Sequence, residues 1–411
     1  MSSRHPASGT AALAALVLFL CFAFNMLGRG VGDTFIVFLL PLSDEFGWKR
    51  GAVSSVYSIY LIVTGVSAPL TGMVLDRWGP RVVYPLGLAL LGTGCLVAGH
   101  LHALWQFQAV IGFFNGVGVS MLGMVPASML ISRWFRDRMS TAMGIAYAGF
   151  GTGTLLIVPL AQYLIETHGW RETYRLIGFA VLALLPLVML VPWRRIAEQG
   201  GRIGRGGATP DVPRGSPVRD AMRKREYWQL IQVFSFTALA MYAMLSQIVA
   251  YLVQMGLTPL EAATAFGLQG LLAVFGMTAS GWSCDRFGYR ATATASFAST
   301  LAGIALLVLM SFFPSRWLVV PFVLLFGISQ GARGPIVASI AARVFRGPAF
   351  ATIYGTIFTG MSIGAALGSW ISGALYDATG GYRASFVFSM ICIAIAAMPF
   401  WTRRSLSRSP R

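Results

Sequence analysis

"GMVLDRWGPR", residues 72–81, returns half a chain later as "GWSCDRFGYR", residues 281–290, with Gly, Asp-Arg, Gly and Arg at the same spacing. A second pair, "GWRETY" at 169–174 and "GYRASF" at 381–386, has nearly the same separation, 212 residues against 209. At an offset of 211, one glycine triplet matches another: Gly144, Gly149 and Gly153 with Gly355, Gly360 and Gly364. Three landmarks at offsets of 209 to 212 residues predict a duplicated unit.

The composition indicates the solvent in which this unit folds. Hydrophobic residues make up 56% of the 411 residues and charged residues only 11%, whereas soluble domains carry about 25% charged residues. A lipid bilayer is therefore the favoured environment. Apolar stretches suited to membrane-spanning helices lie near residues 11–41, 51–75, 82–99, 103–132, 140–165, 172–192, 227–255, 259–283, 291–313, 316–342, 350–375 and 383–402.

One long polar stretch divides these twelve predicted spans six and six. It is rich in Gly, Pro and Arg, which is typical of a flexible linker. We therefore predict an all-α integral membrane protein with twelve transmembrane helices in two pseudo-symmetric six-helix bundles. The bundles are predicted at residues 1–192 and 227–411, with a cytoplasmic linker at 193–226.

The formal net charge of +17 follows from short loops that carry Lys and Arg on one predicted face of the membrane. Such loops stay in the cytoplasm and contact anionic lipid headgroups. This pattern predicts a multi-pass protein of the cell inner (plasma) membrane with both termini in the cytoplasm. It also argues against a nucleic-acid partner, which a basic chain would otherwise suggest.

The repeated motif resembles the signature of the major facilitator superfamily, and the resemblance covers essentially the whole chain. The matching positions are Gly72, Asp76, Arg77, Gly79 and Arg81, then Gly281, Asp285, Arg286, Gly288 and Arg290. The resemblance implies two halves with a substrate site between them at mid-membrane. We interpret the motifs as a latch in which carboxylates and guanidinium groups join the halves when one side is closed. The alternative is that these charges only anchor loops.

Other stretches resemble the monocarboxylate transporters and their oxalate/formate antiporter relatives. They are "DEFGW" at 44–48, "WFRDRMSTAMG" at 134–144 and "GALYDATGGYRASF" at 373–386. The resemblance implies a small carboxylate as substrate. Carriers of this branch commonly have an Arg in the eighth span, and the corresponding position is Met277. The usual carboxylate anchor is therefore missing, and the substrate class stays open.

Few charges lie inside the predicted spans, and intramembrane charges tend to face a water-filled path. Arg333 in the tenth span is our first candidate for a carboxylate anchor and Arg29 in the first span the second, because a guanidinium can bind a carboxylate through two hydrogen bonds. Asp33 is the candidate proton carrier. Two alternatives stay open: Arg29 and Asp33 form a permanent pair, or Arg333 binds backbone carbonyls.

The superfamily resemblance further implies that the first, fourth, seventh and tenth spans line the cavity. Polar residues on those spans complete the predicted substrate site: Asn25, Asn115, Tyr242, Gln247, Tyr251 and Gln330.

The sequence contains no phosphate-binding loop, no paired metal ligands and no nucleophile elbow. We therefore predict no enzyme activity, no cofactor and no metal. The predicted function is secondary transport of a small organic anion by alternating access, with a proton as the coupling ion. Alternatives are anion exchange, export of an uncharged or amphipathic compound, or a transporter-like sensor. By the resemblance, a monomer is expected.

Overall fold

The computed structural model describes residues 8–48, 50–135, 137–204, 217–245, 247–347 and 349–402. Every regular element in those ranges is a helix, which confirms the predicted all-α class. Ten helical segments there are long and apolar enough to cross a membrane, and one bent pair makes an eleventh. The predicted eighth span coincides with a 29-residue helix of about 43 Å, which is also long enough to cross.

In chain order, the first span is formed by α1 and α2, the second by α3 and α4, and the third by α5. The fourth is formed by α6 to α8 with a π-helix between α6 and α7, the fifth by α9 and the sixth by α10. Their bounds are α1 (Ser8–Asp33), α2 (Phe35–Phe46), α3 (Arg50–Val66), α4 (Ala68–Trp78), α5 (Pro80–Ala98), α6 (Leu104–Phe107), a π-helix (Gln108–Phe114), α7 (Asn115–Leu122), α8 (Met124–Trp134), α9 (Met139–His168) and α10 (Trp170–Met189).

Two helices, α11 (Trp193–Gly204) and α12 (Pro217–Met222), precede the seventh span. The seventh span is formed by α13 and α14, the eighth by α15 and the ninth by α16. The tenth is formed by α17 and α18, the eleventh by α19 and the twelfth by α20. Their bounds are α13 (Arg225–Leu245), α14 (Ile248–Gln254), α15 (Pro259–Phe287), α16 (Tyr289–Met310), a 3₁₀ helix (Arg316–Leu318), α17 (Val319–Gln330), α18 (Arg333–Val344), α19 (Phe350–Thr379) and α20 (Arg383–Thr402).

The beginning of the predicted linker is a packed helix and not a flexible chain. Trp193 and Ile196 on α11 are buried, and the Trp193 indole donates a hydrogen bond of 2.8 Å to the carbonyl of Val188. The Trp193 ring also stacks on Tyr84 at 5.5 Å. Two apolar side chains three residues apart share one face of a helix, and burial of that face holds α11 against the first half.

Close helix packing repeats in the two halves, as the duplicated sequence predicts. In the first half α1 lies along α9, and in the second α13 lies along α19. A Cβ added to Gly153 would lie 2.0 Å from the carbonyl oxygen of Met26, and one added to Gly364 would lie 2.2 Å from that of Ser235. Only glycine permits these approaches, and the two glycines are 211 residues apart.

Within the described ranges, five of the spans consist of more than one helix. The first is interrupted at Thr34, the seventh between Leu245 and Ile248, and the tenth at Gly331 and Ala332. The second and fourth are interrupted at Ser67 and Gly123. Free backbone groups and side chains at such breaks can face a ligand within a membrane. The breaks place Asp33, Gln247 and Gln330 at helix ends.

Candidate functional site

Arg29 and Asp33 form an ion pair at the break of the first span. The Arg29 Nε atom lies 2.8 Å from Asp33 Oδ2. Asp33 also accepts hydrogen bonds from the hydroxyl of Tyr57 at 2.9 Å and from the hydroxyl of Thr154 at 2.8 Å. Three helices, α1, α3 and α9, therefore converge on one carboxylate.

The Arg29 side chain remains partly open. It is 26% exposed, whereas the Asp33 side chain is 5% exposed. Its Nε atom binds Asp33, but Nη1 and Nη2 make no hydrogen bond within the described part of the chain. Tyr242 on α13 of the other half lies close enough to interact electrostatically with the guanidinium. Arg29 thus lies where the two halves face each other, with its terminal fork free for an anion.

Arg333, our first candidate for the anchor, points away from this region. It is 3% exposed and donates hydrogen bonds to the carbonyls of Ser329 at 3.0 Å and Ser296 at 3.2 Å, and to the hydroxyl of Thr300. Its guanidinium also lies over the Phe297 ring at 4.9 Å. In this conformation the break of the tenth span directs the side chain toward α16, and a role for Arg333 as an anion anchor stays a prediction. The contacts match the alternative role of binding backbone carbonyls.

Three other predicted site residues are each buried within their own half. Asn25 donates a hydrogen bond to the carbonyl of Ala146 at 3.0 Å, and Tyr251 donates one to that of Leu307 at 2.7 Å. Asn115 is 3% exposed and contacts the sulfur of Cys95. In this conformation these side chains hold helices together within their bundles, and their contact with a substrate stays a prediction.

Tyr242, Gln247 and Gln330 are partly buried and stay candidates for contact with a substrate. Tyr242 belongs to the second half and lies within electrostatic range of Arg29. The amide oxygen of Gln330 has no hydrogen-bond partner among the described residues, and neither polar atom of Gln269 has one. Sequence reasoning missed Gln269, because one glutamine in an apolar helix carries no periodic signal.

The repeated motifs bind the opposite half through their aspartates. The Asp76 carboxylate accepts hydrogen bonds from the backbone N–H of Thr352 at 2.9 Å and from the Thr352 hydroxyl at 2.7 Å. Asp285 makes the same pair of bonds with Thr141, at 2.8 and 2.7 Å. Each carboxylate therefore binds the first turn of a helix, α19 or α9, where free N–H groups and the helix dipole favour a negative charge.

The motif glycines permit this contact. A Cβ added to Gly72 would lie 2.4 Å from the carbonyl oxygen of Ala351, and one added to Gly281 would lie 2.2 Å from that of Ser140. Gly79 and Gly288 end their helices with φ of +76° and +86°, which side chains other than glycine adopt at a cost. Loop geometry and close approach both require glycine here.

The arginines of the motifs do not take part in the contact between the halves. Arg77, Arg81, Arg286 and Arg290 are exposed. Arg77 lies over Trp78, Arg286 over Trp282, and Arg290 over Trp401. In this conformation the partner of each motif carboxylate is therefore a helix N-terminus, and the pairing of carboxylate with guanidinium stays a prediction.

Sequence reasoning overlooked the threonines that bind the motif aspartates, although a signal was present. Thr141 and Thr352 are 211 residues apart, the same offset as the glycine triplets. Tyr57 and Thr154, the partners of Asp33, come from helices whose contact with α1 depends on packing. No spacing in the sequence shows that contact.

The two six-helix halves contact each other at the end of the molecule that carries both motifs, which we call the motif end. Beyond the aspartate contacts, the hydroxyls of Tyr147 and Tyr354 lie 3.3 Å apart. Farther from the motifs, the hydroxyl of Thr359 donates a hydrogen bond of 2.9 Å to the carbonyl of Gly65. The motif end is therefore closed in this structure.

A match to the sequence profile described as Major Facilitator Superfamily covers residues 18–355. The chain belongs to the major facilitator superfamily. Members of this superfamily are transporters and not enzymes, and the chain is accordingly a multi-pass secondary transporter that acts on a small solute.

Relatives within the superfamily cover nearly all of the chain. An uncharacterized MFS-type transporter of Bacillus subtilis (strain 168), YcxA, is 25% identical over 398 residues, which are 93% of each chain. Monocarboxylate transporter 13 of Bos taurus is 28% identical over 372 residues, covering 90% of this chain and 85% of the relative. Among solved structures, the superfamily transporter FucP in its outward conformation has a TM-score of 0.71 at 15% identity, covering 94% and 98% of the two chains.

Proposed function

We propose that this protein carries a small organic anion, a carboxylate, together with a proton. The observation that supports the proposal is the ion pair of Arg29 and Asp33. Arg29 is held through Nε alone, and its Nη atoms have no partner in the described chain. A carboxylate placed against this fork would receive two charge-assisted hydrogen bonds.

The same pair supplies a route for proton coupling. An arriving anion competes with Asp33 for the guanidinium, and protonation of Asp33 removes the competitor. Protonated Asp33 can keep its hydrogen bonds with Tyr57 and Thr154, because a hydroxyl accepts as well as donates. A monoanion that moves with one proton carries no net charge, and so avoids about 2.3 kcal/mol per 100 mV of membrane potential.

Arg29 also supplies the positive charge that is missing from the eighth span, where the apolar Met277 occupies the position of the usual arginine. A Cβ added to Gly331 would lie 2.5 Å from Cγ of Met277, so the Met277 side chain packs against the break of the tenth span. Methionine offers no charge to a carboxylate, and the buried Arg333 offers none in this conformation. The similarity to monocarboxylate transporter 13 supports a carboxylate substrate, with the anchor moved to the first span.

For the orientation, we propose that the motif end faces the cytoplasm, with both termini there and the protein in the plasma membrane. Most of the 31 Lys and Arg residues belong to the termini, loops and linker that the predicted topology assigns to that side, which supports this orientation. Residues 1–192 and 227–411 would then rock against each other, linked by residues 193–226. Separation of the motif aspartates from α9 and α19 would open the cytoplasmic side.

The experiment that tests the site measures thermal unfolding of the purified protein in detergent with lactate, pyruvate, formate and oxalate. A ligand that binds the folded state raises the melting temperature with its concentration. We expect at least one carboxylate to do so, and we expect Arg29→Gln to abolish the shift. Arg316→Gln, which changes an exposed arginine, is the matched control and should keep it.

The uncharged analogue lactamide separates an anion site from a general polar site. The proposal requires that lactamide give no shift where lactate gives one. Equal stabilisation by lactamide, no response to any of the four carboxylates, or an unchanged shift in Arg29→Gln would each contradict the proposal.

A further inference from the structure

A small cavity lies inside the first half, behind the break of the first span. Thr34 at the break lines it, together with side chains from four other spans, among them Tyr60, Cys95, Asn115 and Tyr174. The space open to the centre of a water molecule is about 10 Å³, close to the minimum that one water requires. The cavity is separate from the Arg29 site, because neither Arg29 nor Asp33 lines it.

Three polar atoms in the lining have no hydrogen-bond partner among the described residues. They are the hydroxyl oxygens of Tyr60 and Tyr174 and the amide oxygen of Asn115. The three side chains are 1%, 2% and 3% exposed, and they come from the second, sixth and fourth spans. Buried polar groups are rarely left unpaired in native proteins, so a polar guest in this cavity is expected.

The chemistry of the lining selects a neutral guest that both donates and accepts. None of the described residues that line the cavity is acidic or basic, so none of them would balance the charge of an ion. The amide nitrogen of Asn115 already contacts Cys95, which leaves its oxygen as an acceptor only. A water molecule can donate to Asn115 and to one tyrosine and accept from the other, and buried waters typically make about three such bonds.

The surrounding backbone is irregular at the same place. Asn115 directly follows the π-helix Gln108–Phe114, and such bulges occur frequently at functional sites. A Cβ added to Gly32 would lie 2.1 Å from the Tyr60 hydroxyl, so glycine in the first span makes room for this group. The Tyr60 ring lies 5.4 Å from that of Tyr57, which binds Asp33 on the other side.

We propose that this cavity binds one ordered water that hydrogen-bonds Tyr60, Asn115 and Tyr174 and joins three spans behind the break at Thr34. Such a bridging water is nearly as favourable as a direct hydrogen bond, so it satisfies the three buried groups without a direct contact between their helices.

Radiolytic footprinting with mass spectrometry tests this site in the full chain in lipid nanodiscs. An X-ray pulse produces hydroxyl radicals from bound water, and these oxidise side chains beside it even when bulk solvent has no access. Cys95 lines the cavity and Cys21 does not, although both are buried, at 2% and 0% exposure. We expect Cys95 to be oxidised faster than Cys21, and equal rates would overturn the proposal.

Two substitutions remove the water in different ways. Asn115→Leu fills the cavity with apolar atoms, and Tyr174→Phe removes one partner while keeping the ring. We expect the excess oxidation of Cys95 to be lost in Asn115→Leu and reduced in Tyr174→Phe, with Cys21 unchanged. If either variant fails to fold, the other still decides, and excess labelling that persists in every folded variant would overturn the proposal.

Discussion

The aspartate contacts at the motif end lead to a prediction whose size can be worked out from the structure. Asp76→Asn keeps the shape of the side chain but removes its charge and turns one acceptor into a donor. The substitution weakens the two hydrogen bonds that Asp76 accepts from Thr352, at 2.9 and 2.7 Å. A hydrogen bond to a charged group contributes about 1.5–3 kcal/mol, and partial exposure of Asp76 to solvent reduces this contribution.

We therefore expect the closed state to lose about 2–3 kcal/mol in total, because these bonds exist only while the halves are in contact. That loss corresponds to a shift of about 30- to 150-fold toward the state in which the motif end is open. Asp285→Asn should have an effect of similar size, since its bonds with Thr141 have nearly the same lengths.

Distances between spin labels measure this shift. Labels at Trp78 and Arg346, both exposed and in different halves, report the separation of the motif end once the four buried cysteines are replaced by alanine. A population at longer distance should grow in Asp76→Asn. The control Asp377→Asn alters an exposed carboxylate that has no hydrogen bond within the described chain. An unchanged distance distribution in Asp76→Asn, or the same change in Asp377→Asn, would refute the reasoning.

Three further substitutions separate packing, anchoring and capping. Gly276→Ala should lower the free energy of unfolding by about 1–3 kcal/mol, because the new Cβ would lie 1.9 Å from the carbonyl oxygen of Ile328; wild-type thermal stability would contradict this. Arg333→Gln should weaken stability but leave the affinity for a carboxylate intact, as titration calorimetry of a folded sample would show, and lost binding would restore Arg333 as the anchor. Thr258→Ala should cost about 1 kcal/mol, since Thr258 and Glu261 cap α15 reciprocally, and an unchanged unfolding midpoint would argue against that cap.

The fold was predictable because the signals behind it are global or repeated. Apolar stretches of membrane length identified the spans, and the offset near 211 identified the two halves. Nearly the same offset relates the contacts of Asp76 and Asp285 with the opposite half, so a pair of contacts follows from the repeat. Their partners in this conformation are helix N-termini. The signal for these partners, Thr141 and Thr352 at the repeat offset, was overlooked because pairs of opposite charge are more conspicuous in a sequence.

The candidate site was less predictable, because it depends on the direction in which each side chain leaves its helix. Arg333 and Arg29 are both intramembrane arginines next to a helix break, yet the first is 3% exposed against α16 and the second faces the other half. Asn115 illustrates the same limit, since a π-helix before it changes the register that a regular helix would give. The pairing of Arg29 with Asp33 was one of the alternatives that the sequence left open, because i and i+4 are neighbours on any helix.

Uptake into proteoliposomes tests the central claim, an anion bound at Arg29 and a proton carried by Asp33. Radiolabelled mono- and dicarboxylates would be presented with and without an inward proton gradient, to wild type, Arg29→Gln and Asp33→Asn. The account predicts that the gradient drives accumulation of a carboxylate in wild type, that Arg29→Gln abolishes uptake, and that Asp33→Asn exchanges substrate without accumulating it. Accumulation that ignores the gradient, or that persists in Asp33→Asn, would contradict it.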